Sequence, residues 1–594
     1  MRAYKLLLIV AVSLAIVGTL TGCEWIMEWL NPQHLTTEEA EQILNTQSAG
    51  AEMFLELAQL GDPETIEKTV VWLKKQPDVE NASSTEAGNI SVLYTCGLPG
   101  SILTYLGPDN VLLSHTSPIA SNPRSHEDSE GEVVWDETSS SGGGGKNAII
   151  LLPFEHQYGT PKGIPDLISN LRLIGYNVEG PLTNADVTIG KYQSLGDYEF
   201  IYICTHGLAH GWLLQHQIAI ATGVVADASS LRDVWQTAHE VGVEIISVPG
   251  GGDYFAVNGR LLNNVEYPGS LVIIDVCESF KYRALANAFL DHEAKVFLGW
   301  TDLTWPDFVD MSTEILSQLI TRPNFSIHEA YVTPAWLDVG PLRGEYSIDQ
   351  VFPREREYKG KTREPDFKKD GDNDFILNPA VYAESSNDLY TVDPSANGRD
   401  VHVGAIKTAG GGSPEITDIA WNQTTKSLYA ISFETLYQID PETCQADPVG
   451  TRLGVADVNS LAFDNSGNLY SATDTGDFVS INMSTGRASV IGTFGNGYES
   501  SGDLAFGPDG SLFGTVKAPG RTTDVLISVN PSTGKATEIG DTGYRDVFGL
   551  FFVEDHLYGV TTENLLITID TQTGNASLVR QLSFSAWGAQ DADN

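Results

Sequence analysis

The chain has 594 residues, too many for one hydrophobic core, so two to four domains are expected. A composition of 41% hydrophobic and 19% charged residues is that of a globular protein and excludes a disordered one. With 78 Asp+Glu against 34 Lys+Arg the net charge is −44, which argues against nucleic-acid binding and for solubility outside the cell.

In chain order, Arg2 and Lys5 precede an apolar run from Leu6 to Val17 and then Leu20-Thr21-Gly22-Cys23. A basic head, a short apolar stretch and small residues before the cut describe a secretory signal over 1–22. The LTGC ending resembles the lipobox of prokaryotic lipoproteins. That resemblance implies lipidation of Cys23 and a place in the cell envelope facing outside the cytoplasm, with the membrane touched through the lipid alone. The remaining thiols, Cys96, Cys204, Cys277 and Cys444, are too scattered for a disulfide framework and lack the close pairing of a zinc site.

Residues 24–135 read as a small α+β region of their own, with helical spacing over Thr37–Lys75 and a strand at Ile90–Thr95. A Ser/Gly linker follows at 136–146, ending SSSGGGG. From residue 147 to 340 apolar runs alternate with helical spacing. Strands are expected at Asn147–Leu152, Phe200–Cys204, Leu271–Ile274 and Val296–Leu298. Helices are expected around Ile164–Ile174, Tyr282–Asp291 and Phe308–Ile320. This is the pattern of an open, mostly parallel sheet with helices on both faces. Asn258-Gly259 marks a hairpin within the intervening loops. Residues 341–379 are charged and patternless, a second linker. Asp370-Gly-Asp-Asn-Asp374 begins like a calcium loop, but Val381 stands at the twelfth position, where a bidentate Glu is needed.

From 380 to 594 the chain repeats. Leu-Tyr or Leu-Phe pairs at 389, 428, 469, 512 and 557 are spaced by 39, 41, 43 and 45 residues, with ITDIAW, VNSLAF, SGDLAF and VFGLFF upstream. About five units of several short strands resemble exported β-propeller repeats, whose expected role is a scaffold or a docking surface for a protein partner.

Chemistry concentrates in the α/β region. FIYICTHG ends in His206-Gly207 and LVIIDVCES carries Cys277 near its end. In an open α/β sheet catalytic groups gather at the carboxyl ends of strands. If those two strands are neighbours, an imidazole and a thiol face one cleft. The imidazole can then activate the thiol or protonate the leaving group, and the N–H groups of Gly207 and Cys277 can receive an oxyanion. The glycine after the histidine would leave room for substrate backbone to approach its N–H. Acidic Asp275 and Glu278 would raise the thiol pKa. Cys204, inside its strand, reads as core. His206 and His210 are four apart, but a glycine at each speaks against a helix and a zinc pair.

Thr205-His-Gly207 and Asp275-Val-Cys-Glu-Ser279 resemble the cysteine peptidases of the caspase, legumain and gingipain superfamily, and Leu285–Asp302 resembles the helix and strand-plus-Gly-Trp of their gingipain-like relatives. The resemblance covers roughly 146–340. It implies a caspase-like fold, a His206–Cys277 dyad, an oxyanion hole from Gly207 and Cys277, and a protein or peptide substrate without cofactor or metal. Legumain-type enzymes place a third polar residue just after the first strand, where this chain has Glu155, a candidate orienter of His206. Asp253 and Glu278 are candidates for a substrate pocket accepting Arg or Lys. Two alternatives share these features: an inactive surface lipoprotein that binds a partner through its propeller, and a transpeptidase that differs only in the acceptor.

Overall fold

The computed structural model describes residues 35–104 and 146–591, apart from 86–87, 213–214, 239–241, 341, 359–360, 379, 397, 442 and 554. The expected signal at 1–22, Cys23 as the expected lipidation site and the expected linker as far as residue 145 lie outside the described residues. The chain divides into two compact units: residues up to 375 without 173–175 and 320–327, and those two short segments with 376–591. Among the described residues no helix is long and apolar enough to cross a membrane.

The first unit carries strands β1 (Val79–Ser84), β2 (Ile90–Tyr94), β3 (Pro99–Ile102), β4 (Asn147–Leu152), β5 (Asn177–Thr183), β6 (Phe200–Cys204), β7 (Gly207–Trp212), β8 (Gln215–Val225) and β9 (Val243–Val248). After these come β10 (Gly252–Val257), β11 (Leu271–Asp275), β12 (Val296–Trp300), β13 (Ala335–Val339), β14 (Leu342–Tyr346), β15 (Arg356–Tyr358), β16 (Lys361–Arg363) and β17 (Phe367–Gly371). Two sheets dominate. The first has the order β17-β12-β11-β6-β4-β5. Its members β5, β4, β6, β11 and β12 run parallel, and only β17 is antiparallel to its neighbour. The apolar runs mark this sheet because β11 and β12 are buried along their whole length, as strands covered on both faces must be. Helices Ile164–Leu173 and Pro306–Leu319 pack together: Asn170 Nδ2 donates to Ser317 O at 2.9 Å, and a Cβ on Gly163 would lie 2.1 Å from Thr313 O.

The second sheet is curled and mixed, in the order β1-β2-β3-β9-β10-β8-β7. It corrects the expectation of an independent region before residue 135, because β3 pairs in parallel with β9 through Gly100–Ile245 and its neighbours. Helix Thr37–Gln59, opened by a Thr36–Glu39 capping box, lies over this sheet. Gln47 of that helix donates to Ser101 O at 2.8 Å and accepts from the Tyr94 hydroxyl at 2.5 Å. These pairings join residues far apart in sequence, so no local pattern announces them.

Two other expectations are corrected. Residues 341–379 are not a linker: β17 completes the first sheet, with Lys368 and Lys369 on its outer edge, where charge is usual and apolar patterning is absent. Asn258-Gly259 is not a hairpin turn but a helix start, the Asn258 side chain accepting from Arg260 N.

The second unit is a five-bladed β-propeller of four-stranded antiparallel sheets. The first blade combines Val381–Glu384, Asp388–Val392 and Asp400–Ala405 with the last strand, Gly588–Asp591, so the ring is closed by joining its two ends and leaves no long open edge. Buried carboxylates tie neighbouring blades at the axis. Asp418 accepts from Leu461 N at 2.6 Å, and Asp503 from Leu550 N at 2.6 Å.

Candidate functional site

Strands β6 and β11 are parallel neighbours with Cys204 opposite Asp275. His206 lies two residues beyond Cys204, and Cys277 two beyond Asp275. The register therefore delivers both to the same edge of the sheet. Both line one cleft of about 700 Å³ including its mouth, together with Tyr158, Thr304, Trp305 and Asp310.

His206 sits at the corner where the chain leaves β6 for β7. Its ring is boxed by residues that follow β4. Buried Phe154 meets it edge-on at 4.6 Å, the Tyr158 hydroxyl lies 2.6 Å from Nδ1, and Gln157 Oε1 lies 2.9 Å from Nε2. The same hydroxyl lies 2.8 Å from Nε2, so Tyr158 faces both ring nitrogens and, with Gln157, holds the ring in place. Burial, with His156 adding a little, holds the imidazole pKa down to about 3, so the ring is neutral. Glu155, the candidate orienter, does not make these contacts; Gln157 and Tyr158 do.

Cys277 occupies the tip of the turn after β11. Glu278 has φ +60, a left-handed bend that stops the strand and leaves the cysteine at its corner. The Sγ accepts from Thr304 N at 3.4 Å, and the half-buried residue lines the cleft. Burial pushes the thiol pKa up to about 12; the Thr304 N–H works against this, while Glu278 and Asp302 add to it. A neutral thiol, its S–H directed to Thr304 O at 3.7 Å, therefore shares the cleft with a neutral imidazole.

The neighbouring residues are structural. Glu278 is fully buried, accepts from Ala209 N at 3.0 Å and pairs with Lys281, so it ties β7 to the cysteine turn and does not line the cleft. Asp253 lies in the other sheet, accepting from the Ser48 and Ser247 hydroxyls, each at 2.5 Å. Neither is a pocket acid. Ser279 Oγ donates to Ile274 O at 2.9 Å and accepts from Trp300 N at 2.8 Å, while a Cβ on Gly299 would stand 2.6 Å from that oxygen. The acids that do line the cleft are Asp275 and Asp310. Asp275 accepts from Trp300 Nε1 at 2.8 Å, and burial raises its pKa to about 7. Cys204 also lines the cleft, its thiol pushed well up by burial beside Asp275.

Gly207 is required for packing. A Cβ there would fall 2.1 Å from Val276 Cγ1, so the glycine makes room for this core side chain and not for a substrate. Its N–H has a defined direction. Ala221 N donates to His206 O, and antiparallel ladders alternate, so the Gly207 N–H turns away from β8, as does that of Ala209, which meets Glu278.

Sequence reasoning missed Gln157, Tyr158, Thr304, Trp305 and Asp310. Only the position of Gln157-Tyr158 just after the first apolar strand could have pointed to them. Among the described residues, no group of three or more His, Cys, Asp or Glu side chains converges as a metal would require.

No protein-family model matches the chain, and no curated protein matches it. Among solved structures it is similar to the extracellular domain of a hybrid two-component system from B. thetaiotaomicron, at 14% identity over 36% of this chain and 29% of that one, with a TM-score of 0.23. It is also similar to an auxiliary nutrient binding protein from Bacteroides thetaiotaomicron, at 15% identity over 36% of this chain and 64% of that one, with a TM-score of 0.25. In both cases it spans less than two-thirds of the other chain. A third similarity is to the nidogen/laminin complex, at 13% identity over 40% of this chain and 92% of that one, with a TM-score of 0.25.

Proposed function

We propose that the chain is an extracytoplasmic, lipid-anchored cysteine endopeptidase with a caspase-like catalytic unit and a propeller that docks substrate or envelope partners. The observation that carries this reading is the register of β6 against β11, which sets His206 and Cys277 equally far beyond paired strand ends in one cleft. A peptide carbonyl seated there would be attacked by Sγ as His206 takes the thiol proton. The developing oxyanion would be received by the N–H groups of Gly207 and Cys277. His206 would then return the proton to the leaving amine, and water would release the acyl group from Cys277. Asp310, the part-exposed acid of the cleft wall, favours a Lys or Arg side chain at the cleavage point. Export and the anchor rest on the LTGC motif.

A peptidyl acyloxymethyl ketone carrying Lys or Arg tests the reading. It should label Cys277 alone among the four thiols, and Cys277→Ala or His206→Ala should abolish both labelling and peptide cleavage. Equal labelling of Cys96, Cys204 and Cys444 would overturn it. The second reading, an inactive binding lipoprotein, is favoured by the depressed imidazole and the raised thiol, which oppose a standing ion pair.

A further inference from the structure

The loop that cradles Cys277 is gripped from outside the sheet. It runs from Thr301 to Pro306 after β12, donates the Thr304 N–H to Cys277 Sγ at 3.4 Å, and accepts Glu278 N on Asp302 O at 3.0 Å. Acids flank it, Asp302 near its start and Asp307 just beyond it in the first turn of the following helix. The hairpin β15–β16 sets Arg356 opposite Arg363 as cross-strand partners, and each takes one acid. Arg363 Nη1 lies 3.1 Å from Asp302 Oδ1, and that same oxygen accepts from Leu303 N at 2.8 Å, holding the backbone just before Thr304. Arg356 pairs with both carboxylate oxygens of Asp307, at 3.0 and 2.6 Å, and lies over the faces of Trp305 and Phe308 at 4.9 and 4.6 Å. A hairpin some sixty residues later thus fixes both the geometry and the charge of the wall against the thiol.

We propose that Arg363 is a positioning residue for Cys277, acting through Asp302 to neutralise that carboxylate and to hold the Thr304 N–H on the sulfur, with Arg356 fixing the loop's far end. The inference rests on reading Cys277 as the nucleophile. The titratable groups around the thiol are Glu278, already paired with Lys281; Asp302, paired with Arg363; the thiol of Cys204; and, lining the same cleft, the neutral His206 ring, Asp275 and Asp310. Without Arg363 the Asp302 charge stands unpaired beside the sulfur and disfavours the thiolate. Without the Asp302 charge, Arg363 favours it. The two changes therefore act in opposite directions on one observable, whereas a merely structural role would move both the same way.

The test is the rate of iodoacetamide alkylation of Cys277 in the full chain, followed by peptide mapping from pH 7 to 10. Arg363→Gln should slow alkylation about tenfold at fixed pH, the change in thiolate fraction for one pKa unit. Asp302→Asn, whose amide oxygen can still accept from Leu303 N, should accelerate it. Arg363→Lys should recover most of the rate. Equal rates in all variants, or acceleration in Arg363→Gln, overturn the proposal. If Arg363→Gln does not fold, the signs of Asp302→Asn and Arg363→Lys decide it. If Cys277→Ala still cleaves peptide, the peptidase reading falls, yet the alkylation comparison decides the clamp on its own.

Discussion

Gly207 offers a quantitative test of how the His206 corner is built. Its φ is not in the left-handed region, so a side chain there is opposed by sterics and not by backbone conformation. Gly207→Ala places a Cβ 2.1 Å from Val276 Cγ1 and 3.0 Å from Ala219 O, but 3.6 Å from Val276 Cβ, an ordinary contact. The hard overlap is with one methyl of a fully buried valine, and the Ala219 carbonyl is a tight second contact that must give by a few tenths of an ångström. Overpacking of this kind costs about 1–3 kcal/mol, here toward the upper end because the neighbours are strands. Val276→Ala alone removes two methyl groups, about 1.6 kcal/mol of transfer free energy, plus a cavity contribution. In the double variant the new Cβ stands 2.1 Å from the place that Val276 Cγ1 leaves, so it fills part of that cavity. The two losses should therefore not add, and the coupling in a double-mutant cycle should reach about 2 kcal/mol in the stabilising direction. Denaturant titration of the full chain, read on the transition that Val276→Ala shifts, measures this. Because alanine keeps the backbone N–H, the double variant should also regain Cys277 labelling that Gly207→Ala loses. Additive losses, or an innocuous Gly207→Ala, would refute the packing argument; a stable double variant without labelling would refute the role given to the Gly207 N–H.

Further expectations concern protons and contacts. With burial raising the thiol and lowering the imidazole, proton transfer between them before attack is strongly uphill. Alkylation of Cys277 should therefore rise about tenfold per pH unit from 6 to 9, and a plateau in that range would show a standing ion pair. Tyr158→Phe removes the hydroxyl that faces both ring nitrogens of His206 and should lower kcat for a peptide substrate roughly tenfold with little change in KM; an unchanged kcat would dismiss Tyr158 as an orienter. In the propeller, burial raises Asp503 to about 8 and Asp418 well above the usual carboxylate range, the two sharing a hydrogen bond. A raised carboxylate pKa contributes stability that is full below about pH 4 and lost as pH rises through 8. The propeller transition should fall over that window, and Asp503→Asn should flatten the slope; an unchanged slope would reject the shared proton.

The parallel core was legible because its strands are covered on both faces, so Asn147–Leu152, Phe200–Cys204, Leu271–Asp275 and Val296–Trp300 carry nearly unbroken apolar runs. The propeller was legible for a different reason, since a repeated blade repeats its turns and its Leu-Tyr pairs whatever their local strength. What sequence alone could not supply was partnership. β3 joins β9 across more than a hundred residues, and β17, with FKKDG, looks like a linker because an edge strand needs apolar side chains on one face only.

The site divides along the same line. His206 and Cys277 could be paired from sequence because the parallel register converts equal distances beyond two apolar runs into a shared edge, a backbone property that tolerates any intervening loop. The roles of their polar neighbours could not be read that way. Glu278 and Asp253 are acidic and close to the right elements, yet one turns back to cap Ala209 N and the other is spent on two serines of its own sheet and the covering helix. Asp310 enters from a helix that reads as simply amphipathic, and Arg363 acts from a segment with no pattern at all. Charge near a strand tip therefore marks where a site is, while direction, set by which N–H or hydroxyl each carboxylate must satisfy, decides whether that charge meets a ligand or the fold.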